Sequence, residues 1–192
     1  MTKRTLIVVD MQNDFITGSL PVPGAQEIID PIRGLMEKPW NRIILTQDWH
    51  PPHHSSFKTW PRHCVAGRSG ADFPTNDFSN PAHLIIRKGQ KVGIDSYSAF
   101  KDDAGEHSGL WGYLNCLGEQ EIYLCGVATE YCVKATAIDA QFLFRFDAFL
   151  NRNTFIIEDL VRGVNPIPAK NALLTMRDGH DIGIIQSSEI EW

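Results

Sequence analysis

The stretch EIYLCGVATEYCVKATAIDAQFLFR, residues 121–145, joins two different periodicities in one segment. Its first seven residues are almost continuously apolar, which is typical of a strand that is buried on both faces of a sheet. From residue 129 onward the apolar side chains recur at helical spacing, at Val133, Ala137, Ala140 and Phe144. A buried strand followed directly by an amphipathic helix is the repeating unit of a parallel α/β sheet.

The same alternation continues on both sides of this segment. Further short apolar runs predict strands at 5–9, 42–46, 83–88, 154–159 and 181–186, and helical spacing recurs at 25–37 and 168–178. We therefore predict a three-layer α/β/α fold with a central, mostly parallel six-stranded sheet. The chain contains no linker, internal repeat or low-complexity tract, so residues 1–192 are expected to form a single domain.

The composition is that of an ordinary globular chain. Hydrophobic residues make up 43% and charged residues 21% of the 192 positions, which excludes a disordered protein. The net charge of −5 argues against a nucleic-acid partner, which would require a basic patch. The apolar run at the N-terminus ends at Asp10, before it reaches the ~7–15 residues of a signal-peptide core. Because no apolar stretch approaches the roughly 20 residues that span a bilayer, we expect a cytoplasmic protein without a membrane partner.

One region, residues 47–82, interrupts the alternation of strands and helices. It is rich in proline, shows little periodicity and contains four of the seven histidines. A loop of this length in a compact domain is usually functional or disordered. Its five Trp and Phe side chains make disorder the weaker interpretation, so we expect a functional loop region at about 47–82. Its histidines make this region a candidate metal-binding loop.

Three reactive side chains fall at or just beyond the carboxyl ends of predicted strands, where open parallel sheets bind ligands. They are Asp10, Lys88 and Cys132. A thiol in the first turn of a helix is expected to have a lowered pKa, a carboxylate can take its proton, and a lysine can orient both. The backbone N–H groups of the same turn could bind an oxyanion. Spacing alone also allows purely structural roles. Asp10 could cap a turn, Lys88 could be solvated, and Cys132 could pack in the core.

The loop region offers a second group of side chains that could act together. Asp48 and His50 are two positions apart, so in an extended chain they point to the same side. With His54 and His63 they supply oxygen and imidazole donors that suit Zn²⁺, Fe²⁺ or Mn²⁺, with water at the remaining positions. The alternative is a polar loop with surface histidines, and the residues alone do not decide between the two. His53 is assigned to solvent.

Several longer motifs occur in a fixed order along most of the chain. They are VVDMQNDFITGSLPVPGA (8–25), TQDWHPPHHSSF (46–57), TWPRHCV (59–65), RKGQKVGIDSYSAF (87–100), GVATEYCVKATAIDA (126–140) and EDLVRGVN (158–165). In these motifs the chain resembles the isochorismatase-like cysteine hydrolase superfamily, and within it the nicotinamidases. One departure is FLFRFDAFLNRN (142–153), which is longer and more aromatic than the turn usual there.

The resemblance implies a hydrolase that converts nicotinamide to nicotinate and ammonia in NAD salvage. Cys132 would attack the amide carbon to form a thioester, with Asp10 as general base and Lys88 as the orienting cation. A cis peptide bond between Val127 and Ala128 would turn the Ala128 N–H towards the Cys132 N–H and form the oxyanion hole. One alternative is another cysteine amidohydrolase of this superfamily that is metal-free and acts on a different small amide. The other is a catalytically inactive module that keeps the fold and only binds a metal or ligand.

The resemblance also implies one divalent transition metal per chain, with Zn²⁺ favoured over Fe²⁺ and Mn²⁺. Its ligands would be Asp48, His50 and His63. His54 could be a further ligand, since a histidine at the matching position binds the metal in some relatives and not in others. The metal would hold the pyridine nitrogen of the substrate. Aromatic positions of the pyridine pocket fall on Phe15, Trp60 and Tyr97. The expected partner is therefore a small molecule, nicotinamide or also pyrazinamide. Neither the motifs nor the composition decide between a monomer and a homo-oligomer.

Overall fold

A parallel sheet forms the centre of the part of the chain described here. The structure is a computed structural model that describes residues 2–145 and 153–192. In these ranges the sheet has six strands, all paired in parallel, in the order β3-β2-β1-β4-β5-β6. The strands are β1 (Arg4–Val9), β2 (Arg42–Asp48), β3 (Leu84–Lys88), β4 (Glu121–Val127), β5 (Asn153–Arg162) and β6 (Gly183–Ile185). The predicted sheet is confirmed.

Five α-helices in the described ranges cover the two faces of this sheet. They are α1 (Asn13–Ile16), α2 (Ile29–Met36), α3 (Leu110–Leu117), α4 (Lys134–Arg145) and α5 (Pro166–Leu174). Buried side chains of α1 and α2 belong to one apolar cluster, and those of α3 and α4 belong to another. The three-layer α/β/α prediction is therefore confirmed. None of the helices in the described ranges combines the length and the apolar character needed to cross a membrane.

The strand pattern explains why both faces of the sheet are covered. Along β1, Leu6 and Val8 pack into the first cluster, whereas Ile7 and Val9 pack into the second. Side chains alternate between the two faces of a strand, so a strand that is apolar throughout must be buried on both sides. Burying each such side chain contributes roughly 1.5–3 kcal/mol. Continuous apolar runs therefore require helices above and below the sheet.

Element boundaries differ from the predicted ones by a few residues. Strand β2 extends to Asp48, two residues beyond the predicted end, because it continues to pair with β3 as far as Lys88. The helix predicted at 129–145 begins as a π-helical turn, Thr129–Val133, and becomes α-helical at Lys134. Helix α5 starts earlier than predicted, at Pro166, where proline at the first helical position needs no hydrogen-bond acceptor.

The loop region 47–82 packs against the sheet through its own apolar side chains. Ala71 and Phe78 are almost fully buried in the first cluster. Short 3-10 turns at Ser55–Lys58 and Ser69–Ala71 interrupt the region, and His50 forms an isolated parallel bridge with Val65. Of the unusual segment 142–153, residues 146–152 lie outside the described residues.

The strand order determines where a site can form. The chain places β2 and β3 on one side of β1 and places β4, β5 and β6 on the other, so the order reverses between β1 and β4. In open α/β sheets, ligands bind beyond the carboxyl ends of the strands at such a reversal. Asp10 follows β1 at this point, and the turn that carries Cys132 follows β4.

Candidate active site

The three reactive residues predicted at the sheet edge lie together. The ammonium nitrogen Nζ of Lys88 is 2.8 Å from Asp10 Oδ2 and 3.3 Å from Cys132 Sγ. The same Nζ donates to Asp48 Oδ1, at the end of β2. All four side chains are buried. One lysine therefore connects the Asp10 carboxylate, the Cys132 thiol and the Asp48 carboxylate at the end of β2.

The Thr46 hydroxyl holds both the carboxylate and the backbone of Asp10. Thr46 Oγ1 donates to Asp10 Oδ1 at 2.6 Å, and the Asp10 backbone N–H donates back to Thr46 Oγ1 at 3.1 Å. Asp10 adopts a left-handed backbone conformation, with φ of 49°. Burial raises the pKa of the Asp10 carboxyl, although Lys88 opposes this. A carboxylate with a raised pKa is better suited to accept a proton.

The lowered pKa predicted for the Cys132 thiol is wrong. Burial raises the pKa of Cys132 well above its usual range, and Asp10 and Asp48 add to this while Lys88 opposes it. The helix-terminus effect assumed from sequence is worth only about 0.3–1 kcal/mol at an exposed site, whereas burial of a charged group costs several kcal/mol. A raised pKa favours the protonated thiol, and attack by a thiol requires a base.

The turn after β4 has the backbone feature that the resemblance implies. The peptide bond between Val127 and Ala128 is cis. The Ala128 carbonyl accepts the N–H groups of Tyr131 at 3.0 Å and Val133 at 3.2 Å, which closes the turn around Cys132. Ala128 and Cys132 both line one cavity.

Three of the predicted metal ligands converge at the end of β2. Asp48, His50 and His63 each offer one ligand atom, and these atoms lie within 4.8 Å of one another. Nε2 of His50 is 3.6 Å and Nε2 of His63 is 4.0 Å from Asp48 Oδ2. Burial disfavours ionisation of Asp48, but Lys88 and His50 outweigh it and lower the pKa of its carboxyl. A carboxylate and two imidazoles are donors that Zn²⁺ accepts.

The hydrogen bonds of the two imidazoles determine which nitrogen is free. Nδ1 of His50 donates to the Gly89 carbonyl at 2.9 Å, and Nδ1 of His63 donates to the Pro61 carbonyl at 2.7 Å. A ring nitrogen that donates to a carbonyl carries a proton, so in the neutral form of each ring Nε2, on the side of Asp48, has the lone pair that a metal ion would take. Metal-binding histidines are oriented in this way in proteins. The side chains present thus fit a divalent metal.

His54 is oriented differently. Its Nδ1 lies 2.7 Å from Ser56 Oγ and 3.3 Å from the Ser56 N–H, while Nε2 lies 3.1 Å from the Ile94 carbonyl, to which it can only donate. Its ring stacks on that of His50, with the centroids 4.1 Å apart. Both of its nitrogens are thus used in protein hydrogen bonds, and the structure does not bring it into the group with Asp48. His53 is exposed, as expected.

The predicted aromatic residues line the cavity that these side chains share. Phe15, Trp60 and Tyr97 surround an empty volume of about 480 Å³, together with the metal-ligand candidates and Cys132. Trp60 Nε1 donates to the Tyr97 hydroxyl at 3.2 Å, which orients both rings. The remaining lining residues were not singled out from the sequence; they are Leu20, Val22, Asp95, Ser96, Tyr131 and Val164. All six lie inside the quoted motifs, so the motifs themselves were the signal that could have found them.

Gln12 is a further residue that the sequence reasoning missed. Its Oε1 accepts the Asp48 N–H at 2.8 Å, and its Nε2 donates to the carbonyls of Asp48 at 2.8 Å and Ala71 at 2.9 Å. One buried amide therefore holds the end of β2 against the loop region. The motif VVDMQNDF contains Gln12.

Known proteins match the chain over almost its whole length. The nicotinamidase of Saccharomyces cerevisiae is 35% identical over 220 residues, covering 95% of this chain and 99% of the yeast protein. A crystal structure of a protein from L. infantum in complex with nicotinate has a TM-score of 0.90 at 35% identity, covering 97% of this chain and 94% of that chain. The crystal structure of the pyrazinamidase of Pyrococcus horikoshii in complex with zinc has a TM-score of 0.82 at 37% identity, covering 96% of this chain and 99% of that chain.

The family assignment agrees with the fold and with the motifs. The isochorismatase domain matches residues 4–189, from the first residue of β1 to the 3-10 turn that follows β6. The TM-scores show the same α/β architecture in relatives at 35% and 37% identity. The chain belongs to the isochorismatase domain family.

Proposed function

We propose that the protein is a metal-dependent amidohydrolase that converts nicotinamide to nicotinate and ammonia, in NAD salvage. The observation that carries this proposal is one cavity lined by both the Cys132 thiol and the Asp48, His50 and His63 side chains. A reactive thiol and a metal-ligand set on the same small cavity suit a substrate with an amide at one end and a ring nitrogen at the other. The nicotinamidase and the nicotinate complex among the relatives support the same substrate.

In the proposed first step, Cys132 Sγ attacks the carboxamide carbon while the thiol proton passes to Asp10. Lys88, in contact with both, stabilises the negative charge as it moves from one to the other. The N–H groups of Ala128 and Cys132 bind the oxygen of the tetrahedral intermediate. Asp10 then protonates the amide nitrogen, the C–N bond breaks, and ammonia leaves a thioester on Cys132.

In the second step, Asp10 removes a proton from water, which attacks the thioester carbon. The C–S bond breaks, the Cys132 thiolate takes the proton back from Asp10, and the product leaves as nicotinic acid, which ionises to nicotinate. Asp10 thus acts alternately as base and acid, a role that its raised pKa suits. The burial of the Asp10 and Cys132 side chains restricts access of water to these groups.

We assign one divalent metal ion to Asp48, His50 and His63. When bound, the ion would supply a Lewis acid for the pyridine nitrogen of the substrate. For His54 to serve as a fourth ligand, its Nε2 would have to release the Ile94 carbonyl, so His54 is left out of the proposed set. Zn²⁺ is the proposed metal, since its donor preference fits these side chains and a zinc-bound relative supports it.

Cys132→Ala should abolish the reaction, because no other group in the proposed mechanism can form the thioester. Ammonia and nicotinate are measured after incubation of the metal-loaded protein with nicotinamide, and circular dichroism checks that the variant keeps its fold. Loss of the nucleophile is expected to lower kcat by a factor of at least about 10⁴.

Two outcomes would contradict the proposal. Full turnover of nicotinamide by the Cys132→Ala variant would exclude the thioester mechanism. A wild-type protein that releases ammonia from another small amide, but not from nicotinamide, would favour the alternative amidohydrolase. Pyrazinamide in the same assay measures the breadth of the pocket for nicotinamide-like amides.

A further inference from the structure

One buried carboxylate beside the nucleophile has no part in the proposed reaction. Glu130 lies in the turn Thr129–Val133, two residues before Cys132, and is only 7% exposed. Its Oε1 accepts the N–H of Asn165 at 2.9 Å, and its Oε2 accepts the N–H of Val164 at 3.3 Å. Hydrogen bonds to an ionised acceptor are about twice as strong as those between neutral groups. Glu130 therefore joins the turn after β4 to the loop after β5.

The loop after β5 packs closely around this carboxylate. A Cβ atom added to Gly163 would lie 2.6 Å from Glu130 Oε2 and 2.4 Å from Ala169 Cβ, so a larger residue at 163 would force the loop to move. The side chain of Asn165 accepts the Ile167 N–H at 3.2 Å and caps the start of α5. The segment from Gly163 to Asn165 is therefore positioned by Glu130 on one side and by α5 on the other.

Val164 connects this loop to the cavity. Its side chain lines the cavity that Cys132 also lines, and it supplies part of the apolar wall. We propose that Glu130 is a positioning residue that holds Val164, and with it this part of the cavity wall, at a set distance from Cys132. It thereby determines how tightly the substrate ring is bound. The inference rests on the proposed function and extends it from the reacting groups to the specificity of the pocket.

The nucleophile is held in place without Glu130. Lys88 Nζ contacts Cys132 Sγ at 3.3 Å, and the Ala128 carbonyl closes the turn through the N–H groups of Tyr131 and Val133. The loop has weaker support, because Gly163 and Val164 are only partly buried and Asn165 is exposed. Loss of the Glu130 contacts is therefore expected to loosen the wall and leave the thiol where it is. The expected signature is a rise in KM without a fall in kcat.

Glu130→Gln tests this with a side chain of the same size. The amide keeps one acceptor oxygen but turns an NH₂ group towards a backbone N–H, so one of the two loop contacts is lost. KM for nicotinamide should rise about tenfold, corresponding to ~1.4 kcal/mol of binding free energy, while kcat stays within about twofold.

Glu119→Gln is the matched control. Glu119 is also a buried glutamate, 1% exposed, and accepts the Thr5 hydroxyl at 2.9 Å. Glu119 precedes β4 and so lies at the amino-terminal ends of the strands, whereas Cys132 lies beyond their carboxyl ends. This variant should leave both KM and kcat at the wild-type values, so it separates the removal of a buried charge from the effect on the pocket.

Two kinetic results would overturn the inference. Unchanged kinetics in a Glu130→Gln variant that only melts at a lower temperature would make Glu130 a purely structural residue. A fall in kcat at constant KM would mean that Glu130 acts on the nucleophile's turn and leaves the wall unaffected.

Amide hydrogen exchange in the wild-type protein provides a test that does not depend on activity or on how the variant folds. The N–H groups of Val164 and Asn165 should exchange slowly, although they lie in a partly exposed loop, because Glu130 accepts both. Exchange at the rate of an unprotected peptide would contradict the inference. If the wild-type protein does not hydrolyse nicotinamide, the proposed function fails, and this measurement still decides whether Glu130 holds the loop.

Discussion

At the scale of single residues, the site depends on one cation shared among three acidic groups. Lys88 contacts Asp10, Asp48 and Cys132, and all four side chains are buried. Burial opposes a charged ammonium, but the neighbouring carboxylates outweigh it and raise the pKa of Lys88. The lysine therefore stays charged and allows two carboxylates to remain close to the same thiol.

Lys88→Met should be strongly destabilising, because it leaves Asp10 and Asp48 as uncompensated buried charges. Breaking a buried ion pair by removing one partner costs about 3–5 kcal/mol. The free energy of unfolding is measured by urea denaturation of the variant and the wild-type protein.

Lys91→Met provides the control for this change. Lys91 contacts Asp102 and Glu106, but its side chain is 42% exposed, and exposed ion pairs contribute little. Its variant should unfold at nearly the wild-type urea concentration. Equal destabilisation by the two substitutions would mean that Lys88 is not holding buried charges together.

At the scale of secondary-structure elements, the close approach of β1 and β4 builds the site. Val9 pairs with Gly126 at the carboxyl ends of these strands, just before Asp10 and the turn that carries Cys132. Gly126 has a φ of 108°, and a Cβ atom there would lie 2.1 Å from the Val9 carbonyl oxygen. Only glycine allows the two backbones to meet at this point.

Gly126→Ala should push β1 and β4 apart and destabilise the protein by about 3 kcal/mol or more, because both the backbone conformation and the space exclude a side chain. The matched substitution is Gly112→Ala in α3, where an added Cβ meets no atom within 4 Å. Replacing an interior helix glycine by alanine should stabilise the protein by roughly 0.5–1 kcal/mol. Thermal unfolding of both variants measures the difference, and a fall in melting temperature of the same size in both would contradict the steric explanation.

At the scale of the whole molecule, the site joins the loop region 47–82 to the sheet. Asp48 ends β2, whereas His63 lies in the middle of the loop region, and their ligand atoms come within 4.8 Å. The buried Gln12 amide provides a second connection between β2 and the same region, through Ala71. A bound ion would therefore link two parts of the chain that the backbone connects only through a long loop.

Metal removal should lower both activity and the melting temperature, since a ligand that binds only the folded state stabilises it. At a free metal concentration of 1,000 times Kd this stabilisation is about 4.1 kcal/mol. Metal content, unfolding temperature and ammonia release are measured before and after chelation and again after Zn²⁺ is added back.

His50→Ala should reproduce the effect of chelation by reducing the bound metal. His53→Ala, at an exposed histidine of the same loop, should leave metal content unchanged. A metal-stripped protein that turns over nicotinamide at the normal rate would contradict the proposed metal dependence.

The sequence by itself determined the architecture and the composition of the site. Continuous apolar runs such as TLIVV must be buried on both faces, and parallel strands bring their carboxyl ends to one edge, so Asp10, Lys88 and Cys132 could be expected to meet. The motif resemblance identified Asp48, His50 and His63, whose ligand atoms converge at the end of β2.

Only the tertiary structure decided the chemical state and the orientation of these groups. The pKa of Cys132 rises because burial, together with two carboxylates that are far away in the sequence but close in space, outweighs the local effect of a helix terminus. His54 turns to the Ile94 carbonyl, 40 residues away, and Glu130 reaches the loop at Val164, 34 residues away. Solvent exclusion and long-range contacts depend on neighbours that are far apart in the chain, which local patterns of residues do not contain.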